Sequence, residues 1–171
     1  EGSLWRTMAL AGTMRHVDGE QTEPWSEKNI SEQKLVADYV AQTLTSFAGR
    51  VEIGEPYTVR AGNLLHLRSD FSFSMADNGG YGIGDIVEAL HPTPAVCGLP
   101  KDEARTFILA NESDDRRYYS GYAGPWGIKD VYALYVSLRC MEIREDCCLM
   151  HAGGGLLPDS IEEKEWEETV A

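Results

Sequence analysis

Four groups of residues in this chain have the types and spacing to do chemistry. Glu165 and Glu168 stand three apart in an acidic segment near the end of the chain, so in a helix they share one face. Glu32 lies in a separate helical pattern. Carboxylates from two helices suit Mg²⁺, which takes oxygen ligands, keeps several waters and accepts further oxygens from an anionic substrate. Arg139 falls at the end of a strand pattern and could bind a carboxylate through its planar fork. The run Gly153-Gly154-Gly155 could add backbone amides for the same kind of anion. His91 and Thr93 head the string His91 to Pro100 (HPTPAVCGLP). Three prolines after the histidine make that string a rigid, irregular turn.

Each group also has a plainer reading. Glu32 could serve as a helix cap, and Glu165 and Glu168 could belong to a solvated acidic face. Arg139 could pair with Glu142 or Asp146. His91 could cap the helix before it, and the glycine run could be a plain turn. His66 sits within a strand and reads as packed rather than catalytic. Neither His16 nor His151 is spaced for zinc.

Several elements must position these groups. A strand runs from Leu4 to Ala11, interrupted at Ala11-Gly12-Thr13, and residues 16–27 read as a loop. Ile30, Leu35, Val36, Tyr39, Val40, Leu44 and Phe47 recur at near-helical spacing, predicting a helix over 29–47. Asn29 is its expected N-cap, with Glu32 at the capping-box position. Strands are expected over 51–59 and 64–75, a turn at Asn78 to Gly82, and a short helix from Gly84 to Leu90. Lys101 to Asn111 is a helix with Ala104, Phe107, Ile108 and Leu109 on its apolar side. Three strands follow, over 118–122, 131–143 and 147–151, and Ser160 opens a last helix with Glu163 at the capping-box position. Strands with interspersed helices imply an α+β fold, read here as a single domain over residues 1–171.

Bulk properties narrow the field. Fifteen basic residues face 28 acidic ones, a formal charge of −13. That argues against a nucleic-acid or anionic-membrane surface, which needs basic patches. Cys97, Cys140, Cys147 and Cys148 form no CxxC pair and read as reduced thiols of a cytoplasmic protein. No signal peptide is visible, and no apolar run approaches the roughly 20 residues of a membrane span. The chain opens without an initiator Met and stops inside a helical pattern, so it reads as a fragment of a longer protein.

Taken together, the strings resemble the isochorismate synthases among the chorismate-utilising enzymes. They run in the family's order: Ala9-Leu10-Ala11-Gly12-Thr13, then Ser26-Glu27-Lys28 through Glu32, then His91 to Val96 (HPTPAV). Arg116 to Gly124 (RRYYSGYAG), Val136-Ser137-Leu138-Arg139, Ala152 to Leu156 and Glu165 to Thr169 (EWEET) complete the set. The resemblance covers essentially the whole chain, and HPTPAV is the discriminating string. It implies the chorismate-binding fold of the anthranilate synthase component I type, with large antiparallel sheets packed together and helices outside.

It also implies roles. Glu32 and Glu168 match the family's Mg²⁺ ligands, and Glu165 matches a nearby acid of the same site. The metal holds the ring carboxylate of chorismate. Gly12 and Thr13 match a loop whose backbone faces the substrate, and His91 and Thr93 match the pocket wall near the ring. Arg139 matches the arginine for the pyruvyl carboxylate, aided by amides around Gly153 to Gly155. The family's general-base lysine and general-acid glutamate lie upstream of the Leu-Ala-Gly-Thr string, so the 171 residues alone are expected to be inactive. Cys97 stands where the family has a second glycine, and Gly153-Gly154-Gly155 replaces a Gly-Ala-Gly pattern. The parent is expected to be a cytoplasmic monomer whose product feeds menaquinone or a catechol siderophore. A salicylate synthase and a non-catalytic chorismate-binding homologue are the alternatives.

Overall fold

A computed structural model describes residues 4–17, 19, 23–75, 80–129, 131–158 and 160–170. The expected Asn78–Gly82 turn therefore lies partly outside the described residues. The molecule is α+β and consists of two compact units, one ending at Ala95 and the other starting at Val96.

The first unit is built on four antiparallel strands. They are β1 (Leu4–Arg15), β2 (Ala48–Ile53), β3 (Tyr57–Ala61) and β4 (Leu64–Met75). β4 is central: β1 pairs along one edge, and β2 and β3 share the other. The single strand expected over 51–59 is thus two. Pro56 has no N–H for the ladder, and the Gly54 N–H bonds back to the Asp70 carbonyl at 2.8 Å. Helix α1 (Glu27–Thr45) covers one face of the sheet, and α2 (Ile83–Leu90) packs against α1. Ala9, Ala11, Val36, Val40, Leu44, Phe71, Phe73 and Ile86 form the core between them.

Residues 65, 67, 69, 71 and 73 alternate along β4 and are all buried, with Phe71 and Phe73 in that core. The alternation looks imperfect in sequence because Ser69 takes a buried slot. Its hydroxyl is satisfied by Gln33 Nε2 of α1 at 2.9 Å, so burial leaves no stranded polar group there.

The N-cap of α1 corrects the sequence reading. Ser26, not Asn29, is the cap: its Oγ accepts the Asn29 N–H at 3.2 Å. The helix starts two residues earlier than expected because serine offers its short hydroxyl at an extended backbone position. Glu32 then falls in the second turn, where it cannot close a capping box.

The second unit holds α3 (Lys101–Asn111) and α4 (Glu162–Val170), with two small hairpins. β5 (Tyr122–Ala123) pairs with β6 (Tyr135–Val136), and β7 (Met141–Ile143) pairs with β8 (Cys148–Met150). The long strands expected here are broken up. Arg117 and Ser120 adopt φ of 50° and 59°, which turns residues 117–120 out of the extended region. β6 ends after two residues, as does its partner β5. Helix α3 matches its expected bounds, but no residue of it is buried, and Phe107 and Leu109 of its expected apolar side are exposed. At α4 the first helical bonds go to the Ile161 carbonyl. Ser160 Oγ accepts instead from the Leu157 N–H at 3.0 Å, so Ser160 does not cap the helix.

Candidate functional site

In the first unit, Gly12, Thr13 and Glu32 lie beside the start of α1, and His91 and Thr93 follow the end of α2. Gly12 marks a β-bulge, where the register of β1 against β4 slips between Ala11 and Thr13. Its φ is +72°, and a Cβ there would lie 3.0 Å from the Asn29 carbonyl oxygen and 3.2 Å from the Asn29 Cβ. The bulge thus rests on the first turn of α1. Glu32 is three residues beyond Asn29, on the same helical face, and is half-buried. The structure therefore brings the bulge and Glu32 to one neighbourhood.

Thr13 Oγ1 shares a hydrogen bond of 3.1 Å with Nδ1 of the buried His66. His66 is packed, as expected, and it also orients a candidate site residue. Only the Thr13–His66 register could have signalled this. His91 is the C-cap residue of α2, through its backbone N–H to the Val87 carbonyl at 3.0 Å. His91 and Thr93 are half-buried in an irregular turn that contains a cis His91–Pro92 bond.

The second unit carries the other groups. Arg139 is exposed just beyond β6. Glu142, one of its two expected partners, is gripped by other arginines: Arg117 Nη1 donates to it at 2.6 and 2.7 Å, and Arg144 Nε at 3.1 Å. Arg144 and then Arg117 hold the Glu142 carboxyl below the ordinary glutamate range. Gly153, Gly154 and Gly155 lie in an exposed irregular stretch. A Cβ on Gly153 would stand 3.0 Å from the hydroxyl of Tyr119. The Tyr119 ring stacks on His151, centroids 5.1 Å apart and 8° from parallel.

Glu165 is the buried acid of α4, only 7% exposed, while Glu162, Glu163 and Glu167 are exposed. It is therefore not part of a solvated acidic face. A buried carboxylate is costly unless a cation or hydrogen bonds compensate it. Glu168 lies three residues further along the same helical face; its side chain lies outside the described residues. Among the described residues, no three His, Cys, Asp or Glu side chains of this chain form a metal-binding group. Carboxylate oxygens such as those of Glu165 are nonetheless the donor chemistry that Mg²⁺ takes, since hard cations bind oxygen ligands.

An open groove of about 740 Å³ in the same unit is lined by Asp114, Asp115, Arg117, Glu142, Arg144, Leu149, Met150 and His151. It contains none of the expected site residues.

A family model for chorismate-binding enzymes matches residues 1–171. The chain belongs to the chorismate-binding enzymes. Isochorismate synthase DhbC of Bacillus subtilis is 35% identical over 85% of this chain, and the match covers 37% of that protein. Isochorismate synthase MenF of Escherichia coli is 33% identical over 95% of this chain and 38% of that protein. The solved structure of the menaquinone-specific isochorismate synthase MenF from Escherichia coli superposes with a TM-score of 0.83 at 31% identity, covering 98% of this chain and 40% of that one. The chain thus spans about two fifths of the length of these chorismate-binding relatives. No helix among the described residues is long and apolar enough to cross a membrane.

Proposed function

We propose that this chorismate-binding chain is part of an isochorismate synthase, which adds water at one ring carbon of chorismate and expels hydroxyl from another. The match of 85% and 95% of this chain to proteins named isochorismate synthases carries this reading. The placement of Glu32 off the helix cap and the burial of Glu165 support the metal half of it. Glu32 and Glu168 hold Mg²⁺, with Glu165 as an acid of the same site. Bound there, Mg²⁺ supplies Lewis acidity and a template for the ring carboxylate. The bulge at Gly12 and Thr13 presents backbone to the substrate, and His91 and Thr93 wall the ring. Arg139 takes the pyruvyl carboxylate, helped by the amides of Gly153 to Gly155. Both units belong to one chorismate-binding domain of a cytoplasmic, monomeric parent that has no nucleic-acid or membrane partner. Its product feeds menaquinone or a catechol siderophore.

Calorimetric titration of the chain with chorismate and Mg²⁺ tests the site. Glu32→Gln and Glu168→Gln should each weaken binding about 10- to 100-fold, since a charge-assisted contact is worth roughly 1.5–3 kcal/mol. Their melting temperatures should match the unaltered chain. Two variants that bind chorismate and Mg²⁺ as the parent chain does would end the metal assignment.

The 171 residues by themselves should form no isochorismate above background. The proton-transfer lysine and glutamate of the resemblance fall outside them, and each such group contributes about 10²–10⁴-fold. Chromatographic detection of isochorismate at the rate of a full-length synthase would contradict this.

A further inference from the structure

The string Arg116 to Gly124 takes no part in the reading above, yet Arg116 sits among the pieces that carry its carboxylate-binding groups. Its Nε and Nη2 donate to the Glu112 carboxylate, at 2.7 and 2.5 Å, just past the end of α3. Its Nη1 donates to the Val96 carbonyl at 2.7 Å and to Ser120 Oγ at 3.2 Å. The guanidinium also lies 5.8 Å from the centroid of the Tyr119 ring. Glu112 holds the Arg116 guanidinium more firmly protonated, and Arg116 pulls the Glu112 carboxyl below its usual range.

Two structures lead away from this clamp. The first is Tyr119, whose N–H bonds the Arg116 carbonyl at 2.8 Å. Its ring stacks on His151, and its hydroxyl occupies the space a Gly153 side chain would need. The second is the buried Ser120. Its N–H bonds the Ser137 carbonyl at 2.7 Å, and the Ser137 N–H returns to the Gly121 carbonyl at 2.8 Å. Ser137 is two residues before Arg139. One turn, locked by one guanidinium, therefore abuts both the glycine stretch and the strand end that carries Arg139.

We propose that Arg116 is a positioning residue that sets the Gly153–Gly155 stretch, through Tyr119 and His151, and the Arg139 strand end, through Ser120 and Ser137, for recognition of a substrate carboxylate. This rests on the isochorismate synthase reading for the identity of that carboxylate. The side chain itself contacts no substrate. The planar fork matters because four partners are held at once in fixed directions, which an ammonium cannot reproduce.

The test compares the unaltered chain with Arg116→Gln and Arg116→Lys, by two-dimensional NMR and by titration with Mg²⁺ and chorismate. In both variants the amide signals of Gly153, Gly154, Gly155 and Arg139 and the ring protons of His151 should shift. Signals of the β1–β4 sheet should stay in place. Chorismate affinity should fall about tenfold, the loss of roughly one well-oriented hydrogen bond to a charged group. Mg²⁺ affinity should hold, which a general loss of folding would not allow. Glycine and His151 signals that stay put, or full recovery by lysine, would overturn the proposal. If Arg116→Gln does not fold, Glu112→Gln relaxes the same clamp and should shift the same signals less. If the unaltered chain shows no chorismate binding, the isochorismate synthase reading fails, and the NMR shifts alone still decide whether Arg116 sets the loop.

Discussion

Gly124→Ala should cost the second unit its β5–β6 pairing and lower its stability by several kcal/mol. A Cβ at residue 124 would stand 1.9 Å from the Ala133 carbonyl oxygen, 3.0 Å from the Ala133 carbonyl carbon and 3.2 Å from the Leu134 Cα. Ordinary non-bonded carbon contacts lie at about 3.5–4.0 Å. All three obstacles are backbone, so no rotamer change relieves them. The two chains must separate by more than 1 Å or so, more than a hydrogen-bonded ladder tolerates. Gly124 also holds φ of +155°, which costs a side chain on the order of 1–3 kcal/mol by itself. The chain closes tightly at this point: Ala123 pairs with Tyr135, and the Ala133 N–H bonds the Pro125 carbonyl at 3.0 Å. Separation there also loosens the Ser120–Ser137 bonds and with them the approach to Arg139. Hydrogen exchange at the Ser137 amide and thermal unfolding measure the effect. Exchange protection and a melting temperature equal to those of the unaltered chain would show that the backbones are not in contact as described.

Gly12→Ala should act on the other unit and on binding together. The left-handed φ of +72° costs an alanine roughly 1–2 kcal/mol. The added Cβ would press on the Asn29 carbonyl at 3.0 Å and its Cβ at 3.2 Å, in the first turn of α1. Either the bulge or the start of the helix must give by a few tenths of an ångström. Moving the helix displaces Glu32 on the next turn; moving the bulge displaces Thr13 and its bond to His66. The total should be about 2–3 kcal/mol of stability, combining strain with overpacking, and weaker chorismate binding at saturating Mg²⁺. Gly12→Ser should behave the same way, since the cost lies in the Cβ. Thermal unfolding and calorimetry read both effects. A variant that keeps its stability and its affinity would show that the bulge is not pressed against α1.

Much of the first unit is legible in the sequence. The helical spacing of α1 is a local signal, and Val36, Val40 and Leu44 of it are buried, although Ile30 and Leu35 are exposed and Gln33 is buried in their place. The break between β2 and β3 falls at Gly54 and Pro56, inside the single strand expected over 51–59. Less legible is the choice of Ser26 over Asn29 as the cap of α1. Both residues are good caps, and the chain's path into the helix decided between them. Ser69 hid the alternation of β4, because a hydroxyl fits a buried slot only when a distant partner, here Gln33, comes to meet it.

The second unit was harder to read. Its strands are two or three residues long, and a strand of that length is decided by what lies opposite it. Arg117 and Ser120 at positive φ leave no mark in composition, since neither is a glycine.

The candidate site divides along the same line. The types and order of its residues, from the Leu-Ala-Gly-Thr string to the closing glutamates, are properties of the chain, and they sufficed to indicate the family. Which of those residues are engaged elsewhere is a property of the folded molecule. Glu32 left the helix cap because Ser26 took it, Glu142 went to Arg117 and Arg144, and Glu165 was drawn inside while its acidic neighbours stayed in water. Arg117 stands 25 residues from Glu142, and the loss of the cap by Glu32 turned on the choice of a helix start. Side-chain chemistry is local and can be read in order; competition for a partner is settled only when distant segments meet.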